Sequence, residues 1–287
     1  KRENDGWKDL TWNEVTAQVE AIASYLINFG LKKGGMVSIY STNRPEWAIA
    51  DLATLSAACV DATIYPTNSA AEAAYIINDS KSVICFCEGK FQVDNLLAER
   101  GNLPSLKKII VFDDPGYNDE MIISFEDAVK EGNLSFRKEE ILNRINSIKG
   151  SDLMTLIYSS GTTGQPKGVM LSHSNIMFVV IKFNMRQNLP EGHTILSLLP
   201  LSHAVERTMD YYSTILDGGI IAYSRGTEFF AQDLLEIRPH LGIYVPRVFE
   251  KIYNGIMARV KSSPAGKQKL FARAVEIGRQ AAPYFMA

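Results

Sequence analysis

Short apolar runs alternate with amphipathic helical segments along most of this 287-residue chain. The runs that predict strands are residues 36–40, 61–65, 83–87, 108–112, 153–158, 168–171, 194–198, 219–223 and 241–245. A parallel pair of strands needs a long crossover, which a helix provides, so strands separated by helices favour parallel sheets. The sequence therefore predicts an α/β fold with doubly wound, mostly parallel sheets and flanking helices. Because one open sheet rarely needs so many strands, we expect two adjoining subdomains.

Two of the predicted helices carry clear start signals. Thr11 and Glu14 have the spacing of a capping box, and apolar residues follow at helical intervals until Gly30. Ser69 and Glu72 have the same spacing. These patterns predict one helix that begins just after Thr11 and another that begins just after Ser69 and runs to about residue 79.

Composition and charge exclude several classes of protein. Hydrophobic residues make up 46% of the chain and charged residues 22%, as in ordinary soluble domains. Lys+Arg (30) and Asp+Glu (32) nearly balance, and the net charge of −2 argues against a nucleic-acid-binding protein, which normally needs a basic excess. No run of apolar residues is long enough to predict a transmembrane helix.

The cysteines indicate the redox environment of the protein. Cys59, Cys85 and Cys87 lie among apolar residues and are too few for a disulfide framework, which predicts a reducing, cytoplasmic environment.

The chain starts without Met and ends on apolar residues, whereas natural termini are usually polar. We therefore expect it to be part of a longer protein.

The most informative segment is the polar loop at residues 158–168, which follows one predicted strand and precedes another. It combines serine and threonine hydroxyls with glycines and ends on Pro166, Lys167 and Gly168. Glycines allow backbone N–H groups to converge on an anion, hydroxyls add donors, and a lysine supplies a mobile positive charge. This combination predicts a loop that binds a polyphosphate.

Spacing excludes two other motifs for this loop. A Walker A loop that started at Gly161 would have Pro166 at its second glycine and Gly168 in place of the Ser or Thr that binds Mg²⁺. The G-x-S-x-G pattern of a nucleophile elbow does not occur in the sequence. The alternative that the residues alone leave open is a solvated hairpin without a function.

Residues 156–169, with the sequence LIYSSGTTGQPKGV, closely resemble the AMP-binding signature of adenylate-forming enzymes. Four further segments resemble long-chain acyl-CoA synthetases: NRPEW at 43–47, IYPT at 64–67, LPLSHAVERT at 199–208 and VPRVFEKIY at 245–253. The resemblance runs over nearly the whole chain, but it covers only about the first half of such an enzyme. It implies that residues 1–287 are a partial N-terminal AMP-binding domain. Its two subdomains would be formed by residues 1–65 with 200–287, and by residues 66–199, which carry the loop.

The resemblance also implies a two-step reaction. A long-chain fatty acid attacks the α-phosphorus of ATP to give acyl-adenylate and pyrophosphate, and the thiol of coenzyme A then displaces AMP. ATP, Mg²⁺ and coenzyme A are the implied cofactors and co-substrates. In the family the loop holds the β- and γ-phosphates of ATP, a role that is carried over here to Ser159, Ser160, Gly161, Thr162, Thr163, Gly164 and Lys167.

His203 is the candidate catalytic residue, because the family places a histidine or an aromatic residue at this position beside the acyl carboxylate. From the residues alone, a single histidine here more often starts a helix or packs in a core. Glu206 and Arg207 are expected to form structural ion pairs on or beside their own helix. The other histidines lack the spacing of a metal-ligand set, so the sequence predicts no metal site.

Several alternatives stay open. An acyl-AMP ligase or a shorter-chain acyl-CoA synthetase shares the adenylation chemistry, and a non-catalytic module would bind nucleotide or acyl ligand without turnover. The basic face of the last predicted helix is expected to be solvated, and peripheral contact with an anionic membrane is the alternative. The family's later motifs, which bind adenine and ribose and supply a C-terminal lysine, are not found in this sequence. We therefore expect residues 1–287 alone to be inactive in adenylation.

Overall fold

The computed structural model of the protein describes residues 2–3, 6–159 and 165–285. The strands are β1 (Arg2–Glu3), β2 (Gly6–Trp7), β3 (Met36–Tyr40), β4 (Val60–Ile64), β5 (Ile84–Cys87), β6 (Lys108–Val111), β7 (Ile122–Ser124), β8 (Leu153–Ser159), β9 (Lys167–Ser172), β10 (Thr194–Ser197) and β11 (Ile220–Tyr223). The helices are α1 (Trp12–Asn28), α2 (Pro45–Ser56), α3 (Ala70–Ser80), α4 (Lys90–Ala98), α5 (Phe125–Leu134), α6 (Lys138–Asn146), α7 (His173–Asn184), α8 (Ser213–Leu216), α9 (Phe230–Ile237), α10 (Pro246–Lys261) and α11 (Ala265–Phe285). A 3₁₀ turn covers Arg100–Asn102, and a π-helix covers Glu206–Tyr212.

Among the described residues, seven strands form one sheet in the order β7-β6-β5-β3-β4-β8-β9. Neighbouring strands are parallel except β8 and β9, which are antiparallel. The chain adds strands on both sides of β3, first β4 and then β5 to β7, before it returns to β8 beside β4. This arrangement confirms the predicted doubly wound α/β fold. β10 and β11 form a separate parallel pair, and β1 and β2 a short antiparallel one.

Strand pairs connect the parts of the chain before and after residue 65. β3 and β4 precede this position, yet β3 pairs with β5 and β4 pairs with β8, both of which follow it. β3 and β4 are buried over nearly their whole length, so their backbone groups need neighbouring strands on both sides. Residues 1–243 form one compact unit that includes the whole sheet.

Element boundaries follow the sequence patterns closely in the first half of the chain. The predicted strand at 36–40 coincides with β3, and both capping boxes are present, with Thr11 and Ser69 as N-caps of α1 and α3. The short strand β7 was not predicted. The predicted strand at 241–245 is wrong, because among the described residues only Leu241 makes a bridge, to Ile195, and Pro246 then begins α10.

Helices cover both faces of the sheet. Alternate residues of β5 face the two apolar clusters that lie between the sheet and these helices. Ile84 and Phe86 belong to the apolar cluster under α1 and α2, whereas Cys85 and Cys87 belong to the cluster under α3 and α4. This is the alternation of a strand that is buried on both faces. The prediction that these two cysteines are buried apolar residues is confirmed, since both thiols are free and buried.

Residues 244–287 form a second compact unit, which contains α10 and α11. The two helices contact each other, and Lys267, Lys269, Arg273 and Arg279 on α11 are exposed to solvent. Within the part of the chain that the structure describes, none of the helices has both the length and the apolar character needed to cross a bilayer.

A buried ionic cluster connects the sheet to the π-helix. The guanidinium of Arg207, which is fully buried, donates to both carboxylate oxygens of Asp61 on β4, at 2.8 and 2.6 Å. It also donates to Asp51 on α2 and to the hydroxyl oxygen of Thr155 on β8, the latter at 2.7 Å. The ring of Trp47 lies 5.2 Å from the guanidinium carbon. The predicted ion pair of Arg207 is thus confirmed, but its partners lie on α2 and β4 rather than on its own helix.

Within this cluster two carboxylates share one guanidinium, so Arg207 does not balance both negative charges. Tyr211 and Tyr212 each donate a hydroxyl hydrogen to Asp51, at 3.0 Å. Burial raises the pKa of Asp51 well above its ordinary value of 3.8, although the positive charge of Arg207 acts in the opposite direction. Titration of Asp51 should therefore contribute to the pH dependence of stability.

Replacing Arg207 by Met is expected to destabilise the chain by roughly 3–5 kcal/mol, because the buried carboxyl groups of Asp51 and Asp61 would lose the cation that they contact. Urea unfolding followed by circular dichroism measures this change. The control is Lys130→Met, which removes an exposed ion pair with Asp127 and should change the stability far less than Arg207→Met does. An Arg207→Met chain as stable as the wild type would contradict the stabilising role of the cluster.

Asp51→Asn is expected to flatten the pH dependence of stability. Because folding raises the pKa of Asp51, wild-type stability falls as the pH rises from 3.8 through the raised value. The amide cannot titrate, and Tyr211 retains an acceptor in the carbonyl oxygen of Ala48 at 3.3 Å. The difference in melting temperature between the variant and the wild type should therefore shift in favour of the variant as the pH is raised from about 5 to about 8. Melting curves that shift in parallel would exclude Asp51 as the titrating group.

Candidate phosphate and acyl site

The loop predicted to bind phosphate connects β8 to β9 at the carboxyl edge of the parallel strands. Ser159, the last residue of β8, pairs in register with Lys167, the first residue of β9, and both side chains are exposed. The structure thus brings together two of the predicted phosphate-binding residues at the base of the loop. The other five, Ser160, Gly161, Thr162, Thr163 and Gly164, lie outside the described residues.

The stem of this loop is held by a close contact between Tyr158 and Gly168. These residues face each other across β8 and β9, and a Cβ atom on Gly168 would lie 3.0 Å from Cζ of the Tyr158 ring. Glycine is therefore the residue that permits this approach. The buried Tyr158 hydroxyl donates to Asp79 at the end of α3, at 2.7 Å, and burial raises its pKa, which keeps the proton in place for this bond.

The carboxyl ends of β3, β4 and β8 lie at one edge of the sheet because these strands are parallel. In open α/β sheets, ligands bind at this edge, where loops replace the strands. Asn43 lies at the same edge, between β3 and α2. Its side chain forms hydrogen bonds with the segment at the end of β10, to Ser197, Leu199 and Leu201. The loop after β8 and the segment that carries His203 are therefore both attached to this edge.

His203 lies in the turn between β10 and the π-helix and is exposed. Its backbone N–H donates to the carbonyl oxygen of Pro200 at 2.8 Å, and its Nδ1 accepts from the N–H of Val205 at 3.3 Å. An Nδ1 atom that accepts a hydrogen bond carries no proton, so a neutral ring has its proton on Nε2. The exposed position excludes the alternative that His203 packs in a core.

Glu206 begins the π-helix and is fully buried. Its Oε1 accepts from the hydroxyl of Ser197 at 2.7 Å and from the N–H of Leu198 at 3.1 Å. Among the described residues it forms no ion pair, so the predicted ion pair of Glu206 is wrong. Glu206 holds the end of β10 and the start of the His203 segment by hydrogen bonds.

Glu206 and Asp210 are one turn apart in the π-helix and form a pair of buried carboxyls. Within the described part of the chain, Oε2 of Glu206 and Oδ1 of Asp210 lack a donor from any other group. Burial and the nearby charge of Asp210 raise the pKa of Glu206 well above 4.5, and burial also raises the pKa of Asp210. Burial therefore favours the neutral form of these carboxyls over two buried carboxylates. Sequence patterns alone could not identify this pair, because its spacing is also that of two carboxylates on an exposed helix.

Comparison with known proteins identifies the family. The family model described as AMP-binding enzyme matches residues 2–280. Long-chain-fatty-acid–CoA ligase FadD15 of Mycobacterium bovis is 32% identical over 279 residues, which cover 94% of this chain and 44% of that protein. Long-chain-fatty-acid–CoA ligase ACSBG2 of Homo sapiens is 32% identical over 277 residues, which cover 95% of this chain and 41% of that protein. The chain thus spans less than half the length of these curated relatives.

Solved structures support the same fold. The long-chain-fatty-acid-CoA ligase FadD1 of Archaeoglobus fulgidus matches with a TM-score of 0.72 and 20% identity over 92% of this chain and 49% of that one. ATP-bound MatB from Rhodopseudomonas palustris matches with a TM-score of 0.70 and 20% identity, over 87% of this chain and 46% of that one. Together with the family match over residues 2–280, these findings establish that the chain belongs to the AMP-binding enzyme family.

Proposed function

We propose that this chain is the N-terminal part of a long-chain fatty-acid–CoA ligase. The enzyme joins a fatty carboxylate to the α-phosphorus of ATP, with release of pyrophosphate, and then transfers the acyl group from AMP to the thiol of coenzyme A. The observation that carries the proposal is the family match over residues 2–280 together with curated long-chain ligases at 32% identity. The position of the glycine- and hydroxyl-rich loop at the carboxyl edge of the sheet agrees with it.

The chemistry explains why such residues are needed. The attacking carboxylate and the triphosphate are both anionic, so fixed donors and cations must offset their repulsion. We propose that Ser159, Lys167 and the loop between them hold the β- and γ-phosphates of ATP. The exposed ammonium group of Lys167 would supply the positive charge at the base of the loop.

His203 has a different role in this proposal. Its exposed ring follows β10 and would lie beside the acyl carboxylate and the nucleotide. With Nδ1 accepting from Val205, Nε2–H is the group that can donate a hydrogen bond to an anionic oxygen. This donor would stabilise negative charge during adenylate formation.

Mg²⁺ accompanies ATP in this chemistry and offsets phosphate charge when it is bound. Within the described ranges, no group of three or more His, Cys, Asp or Glu side chains converges. We therefore assign no step of the reaction to residues of this chain acting through Mg²⁺.

The proposal is tested with the full-length ligase by fatty-acid-dependent exchange of pyrophosphate into ATP, followed by detection of acyl-CoA. We expect exchange with palmitate and thioester formation when coenzyme A is added, and no exchange from residues 1–287 alone, because the chain spans 44% of such a relative. Accumulation of acyl-adenylate without thioester would indicate an acyl-AMP ligase, and stronger activity with octanoate a shorter-chain enzyme. ATP binding without exchange by the full-length protein would indicate a non-catalytic module.

Lys167→Ala in the full-length ligase is expected to lower kcat/KM for ATP by about 100-fold, as loss of one donor to developing phosphate charge does in other enzymes. The matched control is Lys138→Ala, which removes an exposed lysine at the start of α6. Steady-state kinetics at saturating fatty acid measure both variants. Equal ATP kinetics in the Lys167→Ala variant and the wild type would remove the role assigned to this lysine.

A further inference from the structure

The side chain of Asn43 makes three hydrogen bonds to a segment more than 150 residues away in the sequence. Its Nδ2 donates to the hydroxyl oxygen of Ser197 at 2.9 Å and to the carbonyl oxygen of Leu199 at 2.6 Å. Its Oδ1 accepts from the N–H of Leu201 at 2.9 Å. We propose that Asn43 is a positioning residue that holds residues 198–203, and with them the ring of His203, in the orientation used for acyl activation.

The chemistry of these bonds requires an asparagine at this position. Leu201 offers an N–H and can only donate, while Leu199 offers a carbonyl oxygen and can only accept, so the orientation of the carboxamide is fixed. An aspartate has the same shape but would place an anionic oxygen against the carbonyl oxygen of Leu199. The Asn43→Asp change therefore alters the hydrogen bonds of this position with minimal change in volume.

The residues on either side of Asn43 are themselves held in place. The N–H of Thr42 donates to the carboxylate of Glu88 at 2.8 Å. Arg44 is buried and donates to both carboxylate oxygens of Asp113, at 2.6 and 2.8 Å. Pro45 then begins α2 with its restricted φ angle. The amide of Asn43 thus projects from a backbone that is fixed on both sides, which is what a precise positioning residue requires.

Two backbone groups of residues 198–203 bond to the Asn43 amide, the carbonyl oxygen of Leu199 and the N–H of Leu201. Leu199 O and Leu201 N lie between β10 and the π-helix, in neither a strand nor a helix. Ser197 links Asn43 to the π-helix, because its hydroxyl accepts from Asn43 and donates to Glu206. Residues 198–203 are consequently bonded to Asn43 at the edge of the sheet and to Glu206 at the start of the π-helix.

This inference rests on the proposed function, in which His203 acts at the acyl carboxylate. A shift of about 1 Å in such a group costs on the order of 100-fold in rate. We therefore expect the Asn43→Asp ligase to lose about 10- to 100-fold in kcat for adenylation, with the KM for ATP within about twofold of wild type. The KM for ATP should be spared because the phosphate loop follows β8 rather than β10.

The experiment is a double-mutant cycle in the full-length ligase, measured by palmitate-dependent pyrophosphate exchange. The variants are Asn43→Asp, His203→Ala and the double variant. If Asn43 acts through His203, adding Asn43→Asp to His203→Ala should change kcat by less than about threefold. The matched control is Asn184→Asp. Asn184 is also partly buried and connects two elements. It donates to the carbonyl oxygen of Ser213 at 3.1 Å and accepts from the Ser213 hydroxyl. The Asn184→Asp change should leave kcat near the wild-type value.

The outcomes separate the two proposals. A wild-type ligase without palmitate-dependent exchange would contradict the proposed function. With an active wild type, an Asn43→Asp variant that matches Asn184→Asp in kcat would overturn the positioning role. So would a double variant whose loss equals the product of the two single losses, because Asn43 would then act independently of His203. Melting temperatures of all variants, measured alongside, exclude loss of folded protein as the cause of a lower kcat.

Discussion

The ion pairs of Arg207 are the interaction on which the arrangement of the site depends. One buried guanidinium contacts Asp51 on α2, Asp61 on β4 and Thr155 on β8, and it does so from the π-helix. The phosphate loop follows β8, and His203 lies just before the π-helix, so both candidate site segments are tied to the same cation. Removing charges from water is costly, and in a buried cluster this cost is offset only in a geometry that pairs every group. Arg207 thus connects α2, β4 and β8 to the π-helix through groups that would be costly to leave buried without it.

Much of this fold could be predicted because its local signals are strong. The apolar run at 36–40 and the capping boxes at Thr11 and Ser69 depend on neighbouring residues, and the structure has them where the sequence places them. The order of the strands depends on pairing between distant segments, and no local pattern indicates that β4 lies beside β8. The prediction at 241–245 failed for a related reason. An apolar run becomes a strand only where a partner edge is available, and here only the bridge from Leu241 to Ile195 forms among the described residues.

In the candidate site, too, the sequence predicted the local motif but not the contacts between distant segments. The string at 156–169 predicts a phosphate-binding loop because its residue types are those that bind anions, and the structure places Ser159 opposite Lys167 at the base of this loop. Glu206 was expected in an ion pair, but a helix position alone does not reveal burial, and burial beside Asp210 raises the pKa of Glu206. The bonds of Asn43 to Leu199 and Leu201 join segments that are far apart in sequence, so neither segment reveals them by itself.

The two attachments of the His203 segment differ in strength, and this difference has a structural consequence. Breaking the buried ion pairs of Arg207 would cost several kcal/mol, on the order of 3–5, whereas each neutral hydrogen bond of Asn43 contributes only about 0.5–1.5 kcal/mol. The π-helix is therefore fixed firmly to the sheet, while residues 198–203 are held by weaker bonds between a side chain and the backbone. Segments of low local stability are the ones that can shift without unfolding the domain. In this protein residues 198–203 carry the exposed ring of His203, so loss of the Asn43 bonds should disturb the position of this ring before it disturbs the contacts of Arg207 with the sheet.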